Sequence, residues 1–317
     1  MVFLFLVTGL IIEQKKHPIS FTYIIYIILL LLGIVFTDIP FDESLRTNII
    51  FNLSGPILLG LCAMYFDGRK IQYEKVLHIM SYMSLPFISM VSYLYFKTPD
   101  IEDIVFSSNS NFDVTGGFGP NQVATILGLG AFTILVLLMN NMRISGFLTI
   151  DLFLLFYVMY RALITLSRGG LITAMLAMIA FIGYTILSKK DRFEYGLKFI
   201  ALAMVFGLSI WVYTSYKTDG MLDYRYTNKA TDGTVKEDFT TGRVAILENE
   251  WASFVENPFL GIGAGSGKFS RYEKFNSKIP THNEMTRLLG EHGLVGVIIL
   301  FMLIVAPIFK MKNESNR

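Results

Sequence analysis

Eight stretches of about 20 mostly apolar residues recur along this chain, over roughly 19–37, 48–66, 76–96, 122–140, 147–166, 169–188, 196–215 and 288–309. Each is long enough to cross a bilayer as a helix, and hydrocarbon leaves a lone segment no other way to satisfy its backbone polar groups. Composition agrees. Hydrophobic residues make up 53% of the chain and charged residues 16%, with a mean hydropathy of +0.53, whereas a soluble domain carries about 25% charged residues. The expected fold is all-α, a polytopic transmembrane helix bundle of about eight to nine spans. It reads as a single membrane domain over 1–317 with a long extracytoplasmic loop, 216–285, that carries short amphipathic helices. Residues 1–12 are apolar but too short to cross; they lack the basic start and small-residue cleavage site of a signal peptide and read as the end of a helix whose beginning is missing. A net charge of +2 argues against a nucleic-acid partner. Cys62 stands alone in an apolar run, which excludes an intrachain disulfide and reads as a small buried hydrophobe.

The connecting segments alternate in character. Lys15 and Lys16, then Arg69, Lys70 and Lys75, then Arg143, then Lys189, Lys190 and Arg192, and finally Lys310, Lys312 and Arg317 mark one side. Asp38, Asp42 and Glu43, then Asp100, Glu102, Asp103 and Asp113 mark the other. Roughly twelve basic residues against roughly three make the first side cytoplasmic. This places 97–121, the turn at 167–168 and the stretch 216–285 on the outer face of a bacterial inner membrane.

The outer stretch carries its own signals. After Thr241, the run GRVAILENEWASFVEN repeats Val244, Leu247, Trp251 and Phe254 at helical steps, and Pro258 ends it. It reads as an amphipathic helix lying on the membrane or on the bundle. GIGAGSGKF follows; its glycines permit positive φ and close backbone approach, but it lacks the features of a nucleotide-binding loop. In THNEMTRLLGEHG, Thr281 and Glu284 have capping-box spacing, which makes His282 the first residue of a helix. A helix start offers free N–H groups to a phosphate and favours a neutral, base-competent imidazole. Such a histidine is more often an ordinary interfacial residue, so position alone does not make it catalytic.

Arg168 in SRGG and Arg243 in TTGR share the outer face with His282. Singly, each reads equally well as a headgroup-binding arginine. Together they form a set suited to a bidentate grip on phosphate oxygens. Arg161, one heptad before Arg168 and inside the hydrocarbon zone, is an intramembrane charge and so a further binding candidate, or a partner of a buried acid.

The chain resembles the O-antigen ligase and O-antigen polymerase (Wzy/WaaL-like) family. GPNQVA at 119–124, SRGG at 167–170, TTGR ending at Arg243, Trp251, NPFLGIGAG at 257–265 and HNEMTRLLGEHGLVG at 282–296 carry the resemblance, which covers roughly 45–309. It implies transfer of a glycan from an undecaprenyl-pyrophosphate donor to an acceptor hydroxyl, without metal or other cofactor. By position, Arg168 and Arg243 match the family's pyrophosphate-binding arginines and His282 its essential histidine. Arg161, Arg287 and Asn283 join them as substrate-binding candidates. Implied partners are the lipid-linked glycan, the acceptor glycan, the bilayer, a chain-length regulator and a flippase. The family has more spans, with two after the long loop, where this sequence shows one. The motifs serve the donor, so a polymerase and a ligase acting on lipid A core or protein are equally compatible. A transporter would call for an internal repeat, and the sequence shows none.

Overall fold

A computed structural model describes residues 2–12, 20–37, 43–188, 192–240, 242–275 and 283–315. Within them the chain forms twelve α-helices, and the regular structure apart from these is two 3-10 turns and one isolated bridge. The helices are α1 (Val2–Ile12), α2 (Phe21–Val35), α3 (Glu43–Phe66), α4 (Tyr73–Lys97), α5 (Pro120–Met139), α6 (Leu148–Ile164), α7 (Arg168–Leu187), α8 (Arg192–Lys217), α9 (Met221–Tyr226), α10 (Arg243–Glu256), α11 (Gly267–Phe275) and α12 (Glu284–Ser315). All eight apolar stretches are helical, which bears out the all-α membrane fold. Among the described residues, six helices are long and apolar enough to cross a membrane: Ser44–Phe66, Tyr73–Lys97, Pro120–Met139, Arg168–Leu187, Ile200–Lys217 and Glu284–Phe309. The helices α2 and α6, with 15 and 17 residues, are shorter, so eight to nine spans is an approximate count. Ile179, Leu202 and Phe301 stand exposed on these helices, as lipid-facing side chains do.

The helices fall into two compact units, Ile71–Phe239 and Met1–Lys70 with Thr240–Arg317. In the first, α5 packs on α4, α6 and α7. Leu94, Leu127, Ile134, Val158, Leu171 and Ile210 form part of its core. Small residues set the close approach of α5 and α7. A Cβ at Gly170 would lie 2.6 Å from the Thr125 backbone nitrogen, and one at Gly128 2.8 Å from Ala174 Cβ, the packing that substitutes for hydrophobic drive between helices in lipid.

In the second unit α2 packs on α3 and α12, and α10 on α12, around Tyr26, Leu30, Leu45, Leu53, Leu288 and Ile299. The helix α12 is broken at Gly293, whose φ of 60° and ψ of −137° are not helical. A Cβ there would lie 2.6 Å from the Pro258 carbonyl oxygen, and Leu294 N–H donates to that oxygen at 2.7 Å. The break lets residues 284–292 form a short helix of their own against the glycine loop before the apolar run begins.

Candidate functional site

Arg168 opens α7 in a tight turn from α6. Leu166, buried in this turn, adopts φ 52°, a left-handed conformation that costs a non-glycine residue roughly 1–2 kcal/mol. Such strain clusters at functional sites. Ser167 donates to the Asn121 side chain at 2.5 Å, so SRGG and GPNQVA dock on one another. The Arg168 guanidinium is half-buried, lies 4.2 Å over the Phe239 ring and donates from Nη2 to the Phe239 carbonyl. A cation at a helix start opposes the helix dipole, so fold stability alone does not account for an arginine there.

Two further cations join it. Arg225, on α9 and buried, donates from Nε to the Leu166 carbonyl at 3.0 Å, from Nη2 to Ser110 Oγ at 3.2 Å and from Nη1 to the Ser108 carbonyl at 3.4 Å. Lys236 donates to the same Ser108 carbonyl at 3.0 Å and to Asn109 Oδ1 at 2.9 Å. Burial lowers the Lys236 pKa, and the charges of Arg225 and Arg168 lower it further. Burial pushes the neighbouring Tyr226 phenol up to about 12 against the pull of the same two arginines, so it stays neutral. Sequence reading singled out only Arg168 of this group. The one signal for the rest was Asp232-Gly233, a turn dipeptide that folds 228–236 back on itself and delivers Lys236.

Arg161 takes a different place. It is 3% exposed, and Nη2 donates to the Leu94 and Val114 carbonyls at 3.3 and 3.2 Å and to Thr98 Oγ1 at 3.2 Å. It thus ties the C-terminal end of α4 to the loop after it, where a cation is favoured by the helix dipole.

The other sequence-derived candidates lie in the second unit. Arg243 is the first residue of α10, after Gly242 at φ 81°, and is exposed. Behind it the helix is inverted relative to a soluble one. Val244, Leu247 and Trp251 face outward, and Asn249, Glu250 and Ser253 are buried. His282 and Thr281 lie outside the described residues. The described part of the helix that follows runs from Glu284, and Asn283 Oδ1 accepts from the Met285 N–H at 3.0 Å, as a helix cap does; the capping-box reading of Thr281 and His282 falls on those undescribed residues.

Residues 284–292 sit on a buried ionic lattice. Glu250 takes Arg271 on one oxygen at 2.9 Å and the Thr286 hydroxyl on the other at 2.5 Å. Arg287 bonds Glu291 at 2.9 Å, Glu284 at 3.0 Å and the Asn52 carbonyl at 3.2 Å. Glu291 also accepts from Asn52 Nδ2 at 3.2 Å and from Gly267 N–H at 3.3 Å. Burial lowers the Arg271 pKa, and Glu250 and Glu291 oppose that shift. The cavity among Asn249, Glu250, Gly267, Arg287 and Glu291 measures about 10 Å³, room for one water and not for a phosphate. Arg287 as packed is therefore a brace. His292, 1% exposed, lays its ring on Gly33 and is equally enclosed.

The glycine loop is part of the same brace. Gly261, Gly263 and Gly265 all have φ between 69° and 87°. Ile262 and Gly263 N–H donate to the Gly290 and Glu291 carbonyls at 3.0 Å each, and Ala264 N–H to Gly33 at 2.8 Å. The glycines are needed for that approach: a Cβ at Gly261 would lie 2.4 Å from the Glu291 carbonyl carbon.

A set of membrane-length apolar helices, with arginines at the starts of α7 and α10 among others, defines a multi-pass membrane protein. Residues 152–301 match the family model described as O-antigen ligase. The match spans Arg161, Arg168, Arg225, Lys236, Arg243, the ionic lattice and His282. Comparison with curated proteins and with solved structures finds no match.

Proposed function

We propose that the protein is a glycosyltransferase of surface polysaccharide assembly, moving a glycan from an undecaprenyl-pyrophosphate carrier to a hydroxyl of an acceptor glycan on the outer face of the inner membrane. The observation that carries this reading is Arg168, half-buried at the start of α7 and grouped with Arg225 and Lys236, within the segment that matches the O-antigen ligase family. Arginine suits phosphate because its planar fork gives two parallel charge-assisted bonds.

In the proposed step the acceptor oxygen attacks the anomeric carbon and the bond from that carbon to the pyrophosphate oxygen breaks. The cations Arg168 and Arg243 stabilise the charge that develops on the departing lipid pyrophosphate. His282 takes the acceptor's proton. Attack opposite the leaving group inverts the anomeric centre, and no step calls for a metal. Asn283 and Arg287 hold the helix that follows His282. The arginines serve the donor, so the acceptor, a growing polymer or a lipid A core, is chosen elsewhere. A flippase would supply the donor and a chain-length regulator would set the product.

The test is single-turnover transfer beside binding of a lipid-pyrophosphate glycan to purified variants. Arg168→Ala and Arg243→Ala are expected to lose about ten- to a hundred-fold in donor affinity, the worth of one charge-assisted bond. His282→Ala is expected to stop transfer and keep donor binding. Transfer at the parent rate in His282→Ala refutes its role as base. A reporter active only outside the cytoplasm, fused near Ser266, is expected to be active; silence there overturns the topology.

A further inference from the structure

Lys236 is a cation to which the family resemblance gives no role. Its backbone is fixed: its N–H donates to the Asn228 carbonyl at 2.9 Å, and Asn228 Nδ2 donates back to the Lys236 carbonyl at 2.8 Å. Between them Ala230 N–H donates to Thr234 at 2.7 Å, Lys229 bridges Val235, and Thr234 is tied to Asp232. The ammonium therefore projects from a closed hairpin rather than a loose loop, and little ordering remains to be done on binding. Its two protein acceptors, Ser108 O and Asn109 Oδ1, are both neutral. An ammonium has three donors, so one is left, and the side chain is half-exposed.

Among the described residues, the charges of Arg225 and Arg168 act on it, and they are of its own sign. Arg225 Nη1 shares the Ser108 carbonyl with it, so the two cationic nitrogens lie no farther apart than those two bonds allow. The Arg225 and Arg168 charges both disfavour its protonated form. Holding like charges together on a shared neutral oxygen costs the fold energy, and an anion with two or more charges placed among them reverses that sign.

We infer that Lys236 binds a phosphate oxygen of the pyrophosphate donor, at a subsite next to Arg168 whose wall is Ser108 and Asn109. The inference rests on the reading of Arg168 as a donor ligand. It assigns Lys236 the oxygen that the arginine fork leaves uncovered, with Arg225 beneath as a fixed charge whose own bonds hold the turn at Leu166.

The experiment measures binding of inorganic pyrophosphate, and separately of a polyprenyl pyrophosphate, to the full chain in detergent. Lys236→Gln keeps a donor for the Ser108 carbonyl and removes the charge. It is expected to bind both probes about ten- to a hundred-fold more weakly, with a shallower dependence on salt. Lys236→Arg is expected to restore most of the affinity. Lys229→Gln, in the same hairpin with its ammonium 5.8 Å over the Tyr224 ring, is expected to leave it unchanged. Parent affinity in Lys236→Gln together with weak binding in Arg168→Ala overturns the inference and leaves the function standing. Parent affinity in both overturns the function itself. Loss of the lipid probe alone, with inorganic pyrophosphate bound normally, also overturns the inference, because the ammonium would then contact something other than phosphate. In case Lys236→Gln does not fold, the parent protein supplies a second readout. Saturating pyrophosphate is expected to slow acylation of Lys236 by an amine-reactive reagent while Lys229 reacts as before; equal rates at Lys236 with and without pyrophosphate overturn the inference.

Discussion

Glu250→Ala tests whether the ionic lattice is what holds residues 284–292. Glu250 and Arg271 are each 4% exposed at 2.9 Å, so water screens neither partner. Removing one member of a buried pair costs about 3–5 kcal/mol, chiefly because the other is left charged and unmatched. The attraction of Glu291 for Arg271 persists and softens that loss, while the bond from Thr286 is lost at a cost of about 1 kcal/mol. The expected penalty is therefore near the lower end of that range, about 3–4 kcal/mol. Arg271→Ala is expected to cost a similar amount. Their combination leaves no orphaned charge at this pair, so the double variant is expected to be little worse than either single one, with a coupling of about 2–3 kcal/mol. The assay is equilibrium unfolding in mixed micelles for all four proteins of the cycle. A penalty below about 1 kcal/mol for Glu250→Ala, or a coupling near zero, would refute the argument, since that is the behaviour of an exposed pair.

Gly261→Ala and Gly68→Ala separate conformation from crowding. Both glycines have φ near 70°, but a Cβ at Gly68 meets nothing within 4 Å, whereas at Gly261 it meets the Glu291 backbone at 2.4 Å. Gly68→Ala is expected to cost about 1 kcal/mol of unfolding free energy and Gly261→Ala at least about 3 kcal/mol; equal costs would show that the close approach does not matter. Arg161→Met is expected to lower stability by about 1–3 kcal/mol through its lost carbonyl bonds, with donor affinity unchanged. A loss of donor affinity matching that of Arg168→Ala would instead support the substrate role that the sequence suggests for it.

The helices were legible because about 20 apolar residues in a row leave few other folds open. Arg168 and Arg243 were legible as residues at helix starts, from SRGG and TTGR. The partners of Arg168 were not, because Arg225 and Lys236 lie where no apolar period marks an element, and a lysine in a polar loop reads as solvated. The inverted face of α10 was hidden for a related reason. Periodicity finds the apolar stripe of Val244, Leu247 and Trp251, but in a membrane protein the side that carries the stripe need not be the side that packs. Here Glu250 and Asn249 are buried instead.

The motifs that make the resemblance visible are of two physical kinds. GPNQVA and SRGG meet through Asn121, Ser167 and the close approach of Gly170 to Thr125. NPFLGIGAG and EHG meet through Gly261, Gly293 and the Pro258 and Glu291 carbonyls. In both pairs the glycines and small polar residues join segments distant in sequence, one pair in each unit. Arg168 lies inside the first joint, and the helix that follows His282 is clamped by the second. The spacing of glycines therefore fixes where a helix starts, and Arg168, the donor ligand of the proposed function, is carried at one such start. This explains why short motifs, each weak alone, point together to one chemistry. It also explains why their most frequent residue does none of it: a methyl group at Gly170 would meet the Thr125 backbone and move the first turn of α7, and with it the Arg168 guanidinium, without touching any atom to which the proposed function gives a role.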